Sequence, residues 1–436
     1  MTDEQRPQLP GGSAAWMRGM TSRRLSRRDM IRYAGISAGS LSLASILAAC
    51  GGDDPPPGSG GDTGTSAAGP TVDFSAEAGD TINFANWPLY IDKGKLPNGE
   101  KGYPSLYEFE QQTGIAVNYN DEIQDNAQFL GELIPQLQAG QDTGRDIIVI
   151  TNGRQMNALI VNGWVTELDP SLRPNFDANA AAWAVDPTFD PGNRFSMAWQ
   201  SGLTGLAWNT DMVSQPLTKM DDLMNPDIVG TSSVGLFANE DLPNLVMINL
   251  GIDPEVSGPE EWQQAADWVN MLKESGTVRT FYDQGYIDDF VAGNTAATLA
   301  WSGDVLYYAI WEGYPFEFAV PEGGAVLWID NMMIPANASN PQGAYQLMDF
   351  VYQPEIAQMI TEWVLYMSPV PAVQELIAQH ATEESGKYAD QLTQTAESEF
   401  LWPDDALLAQ TSFGRNLTTD DEQEEWDAIF NPLFET

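Results

Sequence analysis

The sequence predicts an α/β protein of two lobes, each a mixed sheet flanked by helices, with two crossover strands as the hinge. Three observations lead there. From residue 81 onward, strand-like and helix-like stretches alternate with short connections, the pattern of an α/β sheet. The chain beyond residue 76 is too long for one ordinary hydrophobic core. Two extended stretches, near 199–206 and 326–333, carry it from one half to the other and back. The division that follows gives 77–200 and 331–370 to the first lobe, and 201–330 and 371–436 to the second.

In chain order, Thr81-Ile-Asn-Phe-Ala-Asn reads as a strand by alternation, with Trp87 and Tyr90 just past its end. Residues 93–103, rich in Gly, Lys and Pro, read as a loop. A short helix over 105–113 is closed by Gly114, and a strand follows over 115–119. Next comes a helix over roughly 127–139, which Pro135 limits or kinks. Asp146-Ile-Ile-Val-Ile is an unbroken apolar run, as in a central parallel strand covered on both faces. Thr151 ends it, and a helix over 154–162 is capped by Gly163. Ligands of such sheets bind beyond the carboxyl ends of the strands, where Trp87, Tyr90 and Thr151 all fall.

Residues 193–209 form an extended stretch with glycines where it must bend. Val234-Gly-Leu-Phe is a strand that ends in Ala238-Asn239-Glu240-Asp241. The helix over 259–274 is marked by its leading proline, Glu260 and Glu261 in the first turn, and Gly276 past its end. Trp262, Ala265, Ala266, Val269 and Leu272 form its apolar stripe, so Trp262 reads as core. Residues 297–301 make another strand, and Ser302-Gly303-Asp304 turns away from its end. Helices near 341–352, 354–363 and 371–380 finish the pattern, with Tyr366-Met-Ser-Pro between the last two.

The stretch 323–338 brings the chain back to the first lobe. Its middle is an apolar strand opened by a Gly pair and closed by a proline, and Trp328 and Asp330, two apart, share one face. An ionised carboxylate is costly to bury without a partner. An aromatic wall beside an anionic oxygen therefore suits a ligand that is both cationic and apolar. Trp87, Tyr90, Trp301, Trp328 and Tyr366 each lie at a strand end or crossing, with Asp330, Asp304, Glu240 and Asp241 on the same edges. Aromatic faces attract ammonium groups by ~2 kcal/mol each when desolvated, and cover methylenes at ~0.8 kcal/mol apiece. Carboxylates at either end would take terminal ammonium groups as charge-assisted hydrogen bonds. A linear diamine or polyamine needs that arrangement.

The first fifty residues read as an address. Ser26-Arg27-Arg28-Asp29-Met30-Ile31-Arg32 resembles a twin-arginine export signal, and a small-residue apolar run over 33–49 leads to Leu47-Ala48-Ala49-Cys50-Gly51. That end resembles a bacterial lipoprotein processing box, which implies cleavage before Cys50 and lipidation of its thiol and new amino terminus. Residues 50–76 then form a lipidated Cys and a flexible stalk of Gly, Pro, Ser, Thr and Asp. Cys50 is the only cysteine, so disulfides, thiol catalysis and cysteine-ligated metals are excluded from the mature chain. The expected place is the outer face of the cytoplasmic membrane, in the periplasm or at the cell surface, held by lipid alone.

Charge points the same way as the site, although weakly. The chain carries 19 Lys+Arg against 62 Asp+Glu, a net charge of -43, and seven of the basic residues lie in the signal. Such a surface repels nucleic acid and attracts cations, but solubility or salt adaptation also accounts for it. No cofactor or metal is implied. His380, the sole histidine, sits at the end of an amphipathic helix and reads as solvated or capping. Neither a Gly-x-Ser-x-Gly elbow nor a phosphate-cradling Gly loop is present, so an enzyme is not expected.

From residue 82 to about 408 the chain resembles the spermidine/putrescine-binding proteins of bacterial ABC importers, which have the periplasmic-binding-protein fold. The matching motifs are Asn86-Trp87-x-x-Tyr90, Asp146-Ile-Ile-Val, Trp301-Ser-Gly, Trp328-Ile-Asp330 with Ile334-Pro-Ala-Asn-Ala, and Tyr366 ahead of Ser-Pro. The resemblance implies that Trp87, Tyr90, Trp301, Trp328 and Tyr366 are cleft aromatics, and that Asp330 is the principal amine-binding carboxylate. Thr151 matches a polar residue after the central strand, and Asp241 matches one member of a second acidic pair. Ala238 stands where the other member would be, with Glu240 as a substitute; Gly153 replaces a tyrosine, and a late glutamine falls near Gly414 or Arg415. The implied partners are a polyamine and an ABC permease complex, with the protein acting as a monomer. The alternatives are a sugar- or oligosaccharide-binding lipoprotein of the same architecture, a ferric-ion binder using Tyr307-Tyr308, and a secreted glycosidase with two acids.

Overall fold

The computed structural model describes residues 72–282 and 285–434. The export signal, Cys50 and most of the stalk lie outside the described residues. Strand β1 (Thr81–Asn86) is followed by a small hairpin, β2 (Gly94–Lys95) with β3 (Lys101–Gly102), inside the stretch expected as loop. Helix α1 (Pro104–Thr113) starts on proline and stops where Gly114 turns left-handed at φ 77° and donates its N–H to Glu110. Strand β4 (Ala116–Asp121), helix α2 (Asn126–Gln138), strand β5 (Ile147–Thr151) and helix α3 (Arg154–Val161) complete the first alternating run. Pro135 neither ends nor limits α2, which runs three residues past it.

Strand β6 (Ser196–Asn209) runs unbroken over 14 residues, with a bulge at Trp199 where its register against residues 330 and 331 shifts. Its two glycines serve clearance. A Cβ on Gly202 would sit 2.4 Å from Cζ2 of Trp328, and one on Gly205 2.6 Å from the Ala319 carbonyl. After β6 come β7 (Val234–Phe237), α4 (Asp241–Asn249), α5 (Pro259–Glu274), β8 (Val278–Tyr282), α6 (Tyr286–Val291) and β9 (Ala297–Trp301). The residues after β9 continue as helix α7 (Ser302–Leu306) and a π-helical segment (Tyr307–Glu312), where the sequence suggests only a turn. Strand β10 (Phe316–Ala319) leads to β11 (Ala325–Met333), which returns the chain. Helices α8 (Pro341–Phe350), α9 (Pro354–Val364), α10 (Val373–Glu383) and α11 (Lys387–Glu397), strand β12 (Thr411–Ser412) and helix α12 (Asp420–Phe434) finish it.

The strands form one ten-stranded mixed sheet in the order β4-β1-β5-β11-β6-β9-β7-β8, with β10 on β6 and β12 on β11. Strands β4, β1 and β5 are parallel, as are β9, β7 and β8. Between these two parallel sets lie β11 and β6, antiparallel to each other and to their outer neighbours. They are the two crossover strands. Together they give the fold its two lobes, and β11 pairs with β5 through one end while its whole length runs along β6.

The cores follow the same division. Ile147 and Val149 point into one cluster with Ile82, Phe84 and helix residues Tyr345, Met348 and Ile360, while Ile148 and Ile150 meet Leu130, Leu133 and Leu159 on the opposite face. β5 is thus covered on both faces, which is why its sequence is uninterruptedly apolar. The second lobe is built on Leu236, Phe237, Leu299 and Ala300, covered by α5, whose Trp262 is buried, and by Trp426 and Phe430 of α12. Residues 371–434 divide their packing between the two. Val373, Ile377 and Leu392 join the first core, whereas Trp426 and Phe430 join the second. His380 neither caps nor stands free in water. Its Nδ1 lies 2.8 Å from Glu362 of α9, a contact that raises its pKa.

Candidate functional site

All ten side chains expected at the site line one cavity of about 880 Å³ between the two parallel strand sets. Trp87 and Tyr90 follow β1, Thr151 ends β5, and Glu240 and Asp241 follow β7. Trp301 ends β9, Asp304 lies in α7, Trp328 and Asp330 stand on β11, and Tyr366 follows α9. A pocket of that size encloses a small organic molecule.

Three carboxylates organise the walls. Asp330 is buried, and Thr151 Oγ1 donates to its Oδ1 at 2.6 Å while Tyr90 Oη donates to its Oδ2 at 2.7 Å. Asn126 donates to Thr151 in turn, at 2.9 Å. Asp304 accepts from Tyr366 at 2.7 Å and from Tyr286 at 2.8 Å, one donor per oxygen. Asp241 accepts from Trp301 Nε1 and Thr204 Oγ1, both at 2.8 Å and both at Oδ2. Every one of these donors is neutral, so none supplies the positive charge that a buried carboxylate calls for.

The acids respond accordingly. Burial pushes Asp330 up to about 6, against the opposing pull of its Thr151 and Tyr90 hydrogen bonds and with a further push from Asp241. Burial also raises Asp241 and Asp304, each held back by its two hydrogen bonds. Glu240 reaches the solvent of the cleft, yet crowding by the surrounding protein, then Asp241 and Asp125, raise it as well. Such perturbed groups converging in a cleft mark a site waiting for charge.

Aromatic rings fill the space between these acids. Tyr90 meets Tyr366 edge to face at 5.5 Å, Trp328 meets Tyr366 at 5.3 Å, and Trp301 packs on Phe237 and Tyr286. Two glycines make room for them. Besides Gly202 under Trp328, a Cβ on Gly303 would fall 2.5 Å from the Tyr366 ring. The orientation of Trp87 is set by its indole N–H, which donates to the Val149 carbonyl at 3.1 Å.

Several wall residues escaped the sequence reading. Asp125, Gln155, Asp288 and Trp363 also line the cavity, and Asn126, Thr204 and Tyr286 orient its acids. Their stretches carry no local pattern that sets them apart; only the fold brings them to the site. Gly414 and Arg415 do not line the cavity, and Arg415 is bound to Glu422 and to the Asn244 and Glu255 segments instead. Tyr307 and Tyr308 are wall residues, Tyr308 being buried against Tyr314 and Phe316. Among the described residues, no group of three or more His, Cys, Asp or Glu is placed to hold a metal ion.

Known proteins share this architecture. A spermidine/putrescine-binding periplasmic protein of Salmonella typhimurium is 25% identical over 319 residues, covering 73% of this chain and 86% of its own. The putrescine-binding periplasmic protein PotF of Escherichia coli is 27% identical over 332 residues, covering 71% and 83%. Among solved structures, the spermidine/putrescine substrate-binding protein PotD of Streptococcus pneumoniae matches with a TM-score of 0.66 at 22% identity, over 81% of this chain and 98% of its own. The maltodextrin-binding protein MalE1 of L. casei matches at 0.56 and 13% identity, over 82% and 94%, so this fold also serves sugars. The model of the bacterial extracellular solute-binding proteins matches residues 106–430, most of the chain, and this protein belongs to that family.

Proposed function

We propose that the chain captures an amine of the putrescine or spermidine class between its lobes and delivers it to an ABC permease complex in the membrane. One observation carries this reading. Asp330 is a buried carboxylate whose oxygens are held only by neutral hydroxyls, in a wall of tyrosine and tryptophan rings. An alkylammonium group supplies the missing charge, and its methylenes lie against the rings. The relatives named for spermidine and putrescine support the same choice. A neutral oligosaccharide would use the rings but leave the carboxylates uncompensated. The reading needs no catalytic group, and the protein works as a monomer.

The roles follow from the contacts. Asp330 takes one ammonium group, Asp241 and Asp304 take or share the other, and Glu240 extends the acidic end. Trp87, Tyr90, Trp301, Trp328 and Tyr366 enclose the carbon chain, and Thr151 holds Asp330 in place. Calorimetric titration of the lipid-free protein with putrescine, spermidine and a maltodextrin tests this. Heat is expected for an amine and none for the sugar. Asp330→Asn should weaken amine binding by at least about 100-fold, the effect of removing one partner of a buried charge pair. Sugar heat without amine heat, or an unchanged affinity in the variant, sinks the reading.

The two lobes move as bodies on β6 and β11. We assign α10 and α11 to the first, because their apolar faces lie in its core, so its parts become 77–200 and 331–397. The exported chain is cut before Cys50 and anchored by lipid on the outer face of the cytoplasmic membrane, with 50–76 as its tether. Among the described residues, no helix is long and apolar enough to cross a membrane. Mass spectrometry of the membrane-bound chain should find an acylated N-terminal Cys50; an unmodified terminus, or release of the protein on washing, counts against the anchor.

A further inference from the structure

The π-helical segment Tyr307–Glu312 has a foot in each core. Tyr308 packs among the second lobe's residues, while Trp311 packs against the first lobe's cluster. The last carbonyls of any helix lack intrahelical donors. Here Gln391 of α11 supplies them: its Nε2 donates to the Ile310 carbonyl at 3.0 Å and to the Trp311 carbonyl at 2.9 Å. Gln391 is itself buried, and its helix neighbours Leu392 and Ala396 belong to the first core. One turn earlier on α11, Tyr388 meets the Trp311 ring at 5.7 Å. An amide from one core therefore fixes the end of a segment whose start, Tyr307 and Tyr308, forms the wall of the ligand cavity. Trp363 and Val364 of α9 line the cavity too, and α9 is tied to α10 through Glu362 and His380.

We propose that Gln391 is a positioning residue for the ligand cavity. It touches no ligand. By capping Ile310 and Trp311 it holds the π-helical segment against α11, and so sets where Tyr307 and Tyr308 stand in the cavity wall. A segment wound with i→i+5 bonds is a local departure from the α-helix and is common at functional sites. Without the two donated hydrogen bonds, two buried carbonyls lose their partners, and the segment relaxes toward water.

Gln391→Met keeps the length of the side chain and removes both N–H groups. Two measurements decide the matter. Amide hydrogen exchange of the ligand-free protein should show residues 307–312 exchanging at least tenfold faster in the variant, with β1 and β5 unchanged. Putrescine affinity, measured well below the melting temperature, should fall by about tenfold, the worth of one lost buried hydrogen bond. Unchanged exchange at 307–312 overturns the tether, and faster exchange with unchanged affinity shows a merely structural contact and overturns the positioning role. Should Gln391→Met fail to fold, Gln391→Asn, which keeps the amide but is one methylene too short to reach both carbonyls, is read by the same two measurements with the same outcomes. The affinity arm rests on the amine reading; if the native protein takes up no amine, that reading has failed, and the exchange arm still tests whether Gln391 holds the segment.

Discussion

At the scale of single residues, Asp330 is where charge and burial compete. Burial pushes its pKa up to about 6, against 3.8 for an ordinary aspartate. Between those values the folded state binds a proton that the unfolded chain does not, so stability falls as pH rises through the window. That gap corresponds to about 3 kcal/mol of stability lost by neutral pH. An ammonium ligand favours the ionised form. Amine affinity should therefore weaken by up to tenfold per unit below about pH 6 through Asp330, with Glu240, raised to about 7, adding to the loss. Protons should be released on binding between about pH 6 and 7. Titrations in buffers of different ionisation enthalpy measure that release directly, and its absence would remove Asp330 from the binding step. The sequence makes Asp330 conspicuous because a carboxylate in an apolar strand is rare. It leaves Tyr286 and Thr204 inconspicuous, since a tyrosine in an acidic helix and a threonine in a strand are ordinary until the fold aims them at Asp304 and Asp241.

Among elements, the pairing of β6 with β11 matters most. Trp328 of β11 stands opposite Gly202 of β6, and the indole lies where a Cβ would be. Gly202→Ala should push Trp328 into the cavity. The expected result is a protein destabilised by about 1–3 kcal/mol, the usual cost of overpacking, with amine affinity reduced at least tenfold; an affinity within twofold of the native value would show the ring to be dispensable. Both crossover strands are legible in the sequence because each is long and apolar. What their glycines do is not, since a glycine that permits a bend and one that clears a ring look the same before the partner strand is known. Strand β10 and the π-helical segment are equally hidden: Phe316–Ala319 is too short to show alternation, and no periodicity separates a π-helical turn from an α-helical one. Helices with strong end signals, such as α1 and α5, are readable to within a residue or two.

For the whole molecule, the surplus of acid governs how the protein responds to salt. A net charge of -43 on 436 residues makes the folded chain repel itself, and salt screens that repulsion over about 10 Å at 0.1 M. The ligand-free protein should melt several degrees higher in molar sodium chloride than in dilute buffer, whereas the amine contacts, being buried, should weaken far less than surface ion pairs do. Differential scanning fluorimetry across a salt series checks the first, and calorimetry at the same salt concentrations the second. The anchors themselves are assembled from both sides of the cleft. Asp304 lies beside Val305 and accepts from Tyr286, both of the second core, yet its other donor, Tyr366, belongs to the first. On the proposed reading, parting the halves would strip this carboxylate of one donor and let water reach its oxygens. The same movement that uncovers an amine would then also loosen what holds it.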